Sequence, residues 1–244
     1  SGAYAAPGLL ECARIQVRVI GALMLREMQS RFGKRDLSLL WVFLEPLVLS
    51  GVIGTFHALW GHHTGMRRVF EFYAMGYLMY FMMRSVMNRG ASAVVHNVPL
   101  LAHRRVTLHD IFIARHVIEF LTIGQVMLLF QVGLILSGAD LPHSPMQMML
   151  ALFLMLLLAQ GLAFLVGALA GRLPSAERVV HVVSYLLLPV SGVFWMMDQV
   201  PEWIQDIVIW VPTVHLFEVL REAQFGDIYT CLLYTSDAAD DTPC

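Results

Sequence analysis

Five apolar runs constrain this chain more than any other feature: Leu39–Trp60, Val69–Met87, Ile111–Leu136, Met146–Ala170 and Val179–Met197. A helix of roughly 20 mostly apolar residues crosses about 30 Å of hydrocarbon. Lipid offers no water to pair with backbone N–H and C=O groups, so each run must pair its own backbone, which a helix does. A soluble fold with five such helices would need a charged shell around them. The composition does not provide one: 58% of the 244 residues are hydrophobic and 14% charged, against about 25% charged in soluble domains. The sequence predicts an all-α integral membrane protein.

The connectors GHHTGMRR, ASAVVHNVPLLAHRRVT, SGADLPHS and GRLPSAER are short and polar. Lys and Arg concentrate at cytoplasmic span ends. Arg14, Arg18, Arg26, Arg31, Lys34 and Arg35 precede the first run. Arg89 flanks the second connector, which carries Arg104 and Arg105, and the fourth carries Arg172 and Arg178. Opposite them stand Arg67, Arg68 and Arg221, among the acidic Asp140, Asp198, Glu202 and Asp206. This asymmetry predicts a cytoplasmic N-terminus.

Glu11–Phe32 reads as one amphipathic helix, with Ile15, Val19, Ile20, Leu23, Met24 and Met28 at helical spacing and Glu11, Arg14 and Arg18 on another face. Such a helix lies in the membrane surface, packs on a cytoplasmic partner, or does both. After the fifth run, Pro201 and Pro212 break two short apolar helices, and Trp203 and Trp210 suit an interface. The expectation is a re-entrant or surface-lying pair on the external side, over 200–227. The polar, acidic stretch Tyr229–Cys244 reads as foreign to what precedes it, and a first residue other than Met as an incomplete start. Three segments follow: an interfacial region 1–38, a transmembrane domain 39–228 and a tail 229–244.

Catalytic patterns are missing. There is no GxxxxGK[ST] phosphate loop, and neither GxSxG nor HExxH occurs. The three cysteines form no CxxC, and the net charge of −2 gives no basic nucleic-acid surface. His57, His62 and His63 cluster, as do His96 and His103, without the convergent carboxylate or thiol a metal site wants. Charges inside spans need partners. Glu45 precedes Pro46 in the first run, where function and architecture are equally good explanations. Arg115 and Glu119 stand one turn apart in the third run. They form either a buried pair between spans or, as the boundary position favours, a snorkelling arginine with Glu119 as its local partner. Gly167-x-x-x-Gly171 reads as a helix-packing feature.

Two segments carry a family resemblance. LREMQSRFGKRDLSLLWVFLEP, Leu25–Pro46, resembles the signature of ABC-2 type permeases that export capsular polysaccharide. The matching positions are Glu27, Arg31, Phe32, Gly33, Lys34, Leu37, Trp41, Leu44, Glu45 and Pro46. WVPTVHLFEVLREAQFGD, Trp210–Asp227, is similar to the family's external helix motif through Pro212, His215, Glu218, Arg221 and Glu222. The resemblance runs from about Cys12 to Asp227, with both motifs in order. Ser38 stands where the family commonly has Gly, and Val211 where it has Asn.

The resemblance implies a type V exporter-like transmembrane domain with five of six spans present, the tail standing in place of the sixth. It implies a permease subunit of the bacterial inner membrane, not an enzyme and without a cofactor of its own. Two copies would form the pore, and two copies of a separate ABC ATPase would bind ATP and Mg. Periplasmic and outer-membrane polysaccharide export proteins would be further partners, and the cargo a lipid-linked capsular polysaccharide. Coupling to the ATPase would pass through Arg31, Lys34, His96, Asn97, Pro99, Leu100, Arg104 and Arg105. The alternatives are export of another lipid-linked glycan (O-antigen or teichoic acid), a polytopic glycan-modifying enzyme, and an ion-coupled carrier. The last two lack a convergent catalytic set and an internal repeat respectively.

Overall fold

The computed structural model describes residues 9–32, 36–60, 66–96, 106–173, 175–197 and 200–226. Eight α-helices follow one another among them. They are α1 Leu9–Phe32, α2 Asp36–Trp60, α3 Met66–His96, α4 Leu108–Leu136, α5 Pro145–Arg172, α6 Ala176–Val190, α7 Glu202–Val208 and α8 Pro212–Phe225. The first four apolar runs each lie within one helix, α2 to α5, and the fifth begins in α6. Two boundaries differ from expectation. Helix α3 runs well past the apolar Val69–Met87, because its flanking charges end the hydrophobicity without ending the helix. Helix α6 stops at Val190 instead of Met197, since Ser191–Met197 folds into a turn through Gly192 at φ +92°. Only glycine takes that backbone conformation without strain.

The helices differ in how they meet lipid. Phe43–Trp60, Leu108–Leu136 and Pro145–Arg172 are each long and apolar enough to cross a membrane alone. Helix α3 is not, and packing explains why it need not be. It contacts α2, α4, α5, α6 and α8, and Ala74, Leu78, Met79, Met82, Ala91 and Ala93 along it are wholly buried. It is the axis of the bundle, surrounded by protein, so its charges at Glu71 and Arg89 meet ionic partners instead of lipid. Helix α6, with 15 residues, spans only about 22 Å.

Small residues bring α3 and α5 together. Ala159 and Ala163 are fully buried and Gly167 is buried beside them, at four-residue spacing on one face of α5. A Cβ on Gly90 of α3 would sit 2.6 Å from that of Ala163. The contact ridge is therefore Ala159–Ala163–Gly167, and Gly171, expected to share it with Gly167, is exposed instead. A Cβ on Gly167 would meet the Phe112 ring at 2.9 Å and Gly90 O at 3.0 Å.

Two local signals fix helix starts. Thr107 and Asp110 form a capping box at α4, and Ser144 caps α5 ahead of Pro145. Pro201 and Pro212 open α7 and α8 as expected. These two helices meet at 103°, with Trp203 exposed on α7 and Trp210 exposed at the break between them.

Candidate functional site: two charged clusters

Helix α8 carries the first cluster. Thr213, Val214, Phe217, Glu218, Leu220, Arg221 and Gln224 are buried, a helical period that turns two charged side chains inward. Arg221, only 3% exposed, donates through Nη1 to Trp195 O at 2.8 Å and through Nη2 to Gly192 O at 2.8 Å and Val193 O at 2.6 Å. Its guanidinium also lies 3.8 Å from the Phe72 ring centroid. The Met197 backbone N–H donates to Glu218 at 3.1 Å, and Thr213 Oγ1 donates to Ser191 O at 3.0 Å. Together these side chains staple the turn that leaves α6, satisfying carbonyls that no helix pairs.

The remaining motif residues act elsewhere. His215 Nε2 lies 2.7 Å from Ile209 O at the α7–α8 elbow, Pro212 opens α8, and the Glu222 carbonyl receives Gly226 N–H at the helix end. Gln224 reaches further, donating to Glu71 at 3.4 Å and accepting from Gln131 at 2.8 Å. Arg67 stands 3.8 Å from Glu71 and donates to Gly138 O at 2.7 Å, so α3, α4 and α8 share one polar network. Thr213, Gln224, Glu71 and Gln131 did not stand out in the sequence, where nothing distinguishes them from surface residues.

The second cluster lies at the other end of α3. Arg89 pairs with Glu119 at 3.2 Å, and Ser85 also donates to Glu119. Arg115 pairs with Glu27 of α1 at 3.4 Å and donates to Arg89 O at 3.2 Å. The expected local Arg115–Glu119 pair is thus replaced by two interhelical ones. One turn of helix puts both residues on nearly the same face, but α3 packs against Glu119 while α1 covers Arg115. Gln16 of α1 also donates to Asp110 of α4, which ties the N-terminal helix down a second time.

The first-span motif is spread out. Pro46 is buried in α2, whereas Trp41 and Glu45 are exposed together with Leu44, Val48 and Val52. His57 stacks on Tyr73 and Phe194, with centroids 4.0 and 5.3 Å away, a packing role. Arg31 and Phe32 close α1 and His96 closes α3. Gly33, Lys34, Asn97, Pro99, Leu100, Arg104 and Arg105 lie outside the described residues, as do His62, His63, Asp198 and the tail.

Residues 18–225, which take in both clusters, match the ABC-2 type transporter family. The chain belongs to that family. This ABC-2 transporter protein is 34% identical to the capsule polysaccharide export inner-membrane protein CtrC of Neisseria meningitidis serogroup A, over 91% of its length and 84% of the relative. It is 32% identical to BexB of Haemophilus influenzae, likewise called a capsule polysaccharide export inner-membrane protein, with the same coverage. The polysialic acid transport protein KpsM of Escherichia coli is 28% identical over 86% of this chain and 82% of the relative. With its apolar helices, the ABC-2 protein is a multi-pass protein of the inner membrane.

Proposed function

We propose that this ABC-2 protein is the permease subunit of an ATP-driven exporter that moves capsular polysaccharide across the inner membrane. Similarity along nine-tenths of the chain to relatives named for capsule export carries the proposal. In this reading α2 to α6 are five spans, α1 lies in the cytoplasmic interface, α7 and α8 form an external re-entrant pair, and the N-terminus is cytoplasmic. Helix α1 joins the bundle through Glu27–Arg115 and Gln16–Asp110. A push on α1 therefore reaches α4, and through Arg115 and Arg89 reaches α3.

Energy comes from a separate ABC ATPase, since the chain has no phosphate loop. A second copy of the chain completes the pore. The carboxylate of Glu45 among the exposed apolar residues of α2 supports this, because a charge facing hydrocarbon is costly. The loop His96–Arg105, with His96, Asn97, Pro99, Leu100, Arg104 and Arg105, meets the ATPase together with Arg31 and Lys34. Its apolar Leu100 seats in a cleft, and Arg104 and Arg105 pair on the rim.

Co-purification with the cognate ATPase tests this assembly. Leu100→Asp will insert normally and lose ATPase recovery, since truncating a buried anchor costs roughly 2 kcal/mol or more. Arg104→Ala will lose under about 1 kcal/mol. Micromolar nucleotide binding by the chain alone would contradict the two-component reading, and full ATPase recovery with normal export in Leu100→Asp would show that this loop is not the coupling element.

A further inference from the structure

A cavity of about 290 Å³ opens between α3 and α6, lined by Arg84, Ser85, Asn88, Arg89, Ser92 and His181. The α3 residues recur every three or four positions, so one helix face supplies two guanidiniums, an amide and two hydroxyls. The charges are not balanced within the cavity. Glu119 meets Arg89 at 3.2 Å, but among the described residues no carboxylate pairs with Arg84. Arg84 instead stacks over the Tyr185 ring, 3.7 Å from its centroid, and its Nε–H has no hydrogen-bond partner. Asn88 Oδ1 is also without one. Tyr80 donates to Ser184 O beneath them, which holds α3 and α6 at a fixed separation.

A guanidinium at membrane depth without a counter-ion marks a functional position. Its planar fork suits two oxygens of one phosphate, which a point charge does not. We propose that this cavity binds a phosphate ester, with Arg84 as the charge that holds it and Ser85, Asn88 and Ser92 as neutral partners. The source that fits a cavity between two helices of a membrane bundle is the phosphate of a lipid headgroup. This deepens the export reading and rests on it in one respect. The proposed orientation places Arg84, three residues inside the end of the apolar run Val69–Met87, at the cytoplasmic leaflet, where a lipid-linked cargo would enter.

The test is lipid binding to the full chain purified in uncharged detergent, with phosphatidylglycerol, diacylglycerol and inorganic phosphate as probes. Phosphatidylglycerol will bind the wild type, and Arg84→Gln will weaken that binding by about tenfold or more, as expected for losing a charge-assisted hydrogen bond. Arg84→Lys will recover only part of it, since a point charge does not reproduce the fork, and diacylglycerol will not distinguish the variants. Displacement of phosphatidylglycerol by inorganic phosphate means that the phosphate alone is read. No displacement means that the acyl chains are needed, which assigns the source to lipid. His181→Trp, which fills the cavity and keeps Arg84, will also weaken binding and serves where Arg84→Gln does not fold. Equal affinity for phosphatidylglycerol in the wild type and in whichever of these two variants folds would overturn the proposal. Neither ATPase nor polysaccharide is present in this assay, so its failure is separable from a failure of export.

Discussion

Replacing Arg221 by alanine will cost about 3–5 kcal/mol, because it strips a buried network of charge-assisted hydrogen bonds. The three carbonyls of Gly192, Val193 and Trp195 lose their donors, and each buried acceptor left unpaired costs about 1–3 kcal/mol. These losses overlap, because one relaxed turn can recruit water for several carbonyls. The Phe72 contact goes as well. Arg221→Lys will recover only part of the loss, since one ammonium cannot reproduce a fork that reaches both Trp195 and the Gly192–Val193 pair. Thermal unfolding in detergent, read by circular dichroism with near-ultraviolet signal from Trp195, measures it. A loss below about 1 kcal/mol for Arg221→Ala would mean that the motif does not hold the α6 turn, and that its residues serve a direct role outside the fold.

Leucine at Gly90 will have the other large effect, and it separates helix packing from helix propensity. At Gly90 the nearest atoms to an added Cβ are the Cβ of Ala163 at 2.6 Å and its Cα and carbonyl oxygen, both at 2.8 Å. Backbone cannot rotate aside, so α3 and α5 must separate, at about 3 kcal/mol. Gly124 of α4 is also helical, but nothing lies within 4 Å of its added Cβ. There the same substitution gains somewhat less than the roughly 0.8–1 kcal/mol that separates glycine from alanine in a helix. The paired unfolding transitions of Gly90→Leu and Gly124→Leu check this, and a Gly90→Leu protein no less stable than the wild type would refute close packing at Gly90.

These two residues also indicate how far the sequence could be read. The apolar runs located α2 to α6 because lipid or core burial writes itself into hydropathy over 20 residues. The same signal located only the middle of α3, whose ends are charged and whose middle faces protein. Packing partners were harder still. Gly90 looks like any helical glycine, and only α5 lying against it makes it critical. Arg115 and Glu119 were legible as charges needing partners, but the partners chosen, Glu27 and Arg89, depend on where α1 and α3 lie. The α8 motif was legible by resemblance, which pointed to Glu218 and Arg221 without indicating that they clamp the Ser191–Met197 turn. Glu71, Gln131 and Gln224 stand far apart in the chain, and Arg84 has no sequence neighbour that marks it. Their grouping follows from the bundle alone.

Export is measured most directly by restoration of surface polysaccharide. The full-length protein is to be expressed with its cognate ATPase in an encapsulated strain lacking its own permease, and capsule stained on intact cells. The account predicts surface capsule that depends on both the permease and a hydrolysis-competent ATPase. Polysaccharide retained in the cytoplasm, with both proteins present and inserted in the membrane, would contradict it.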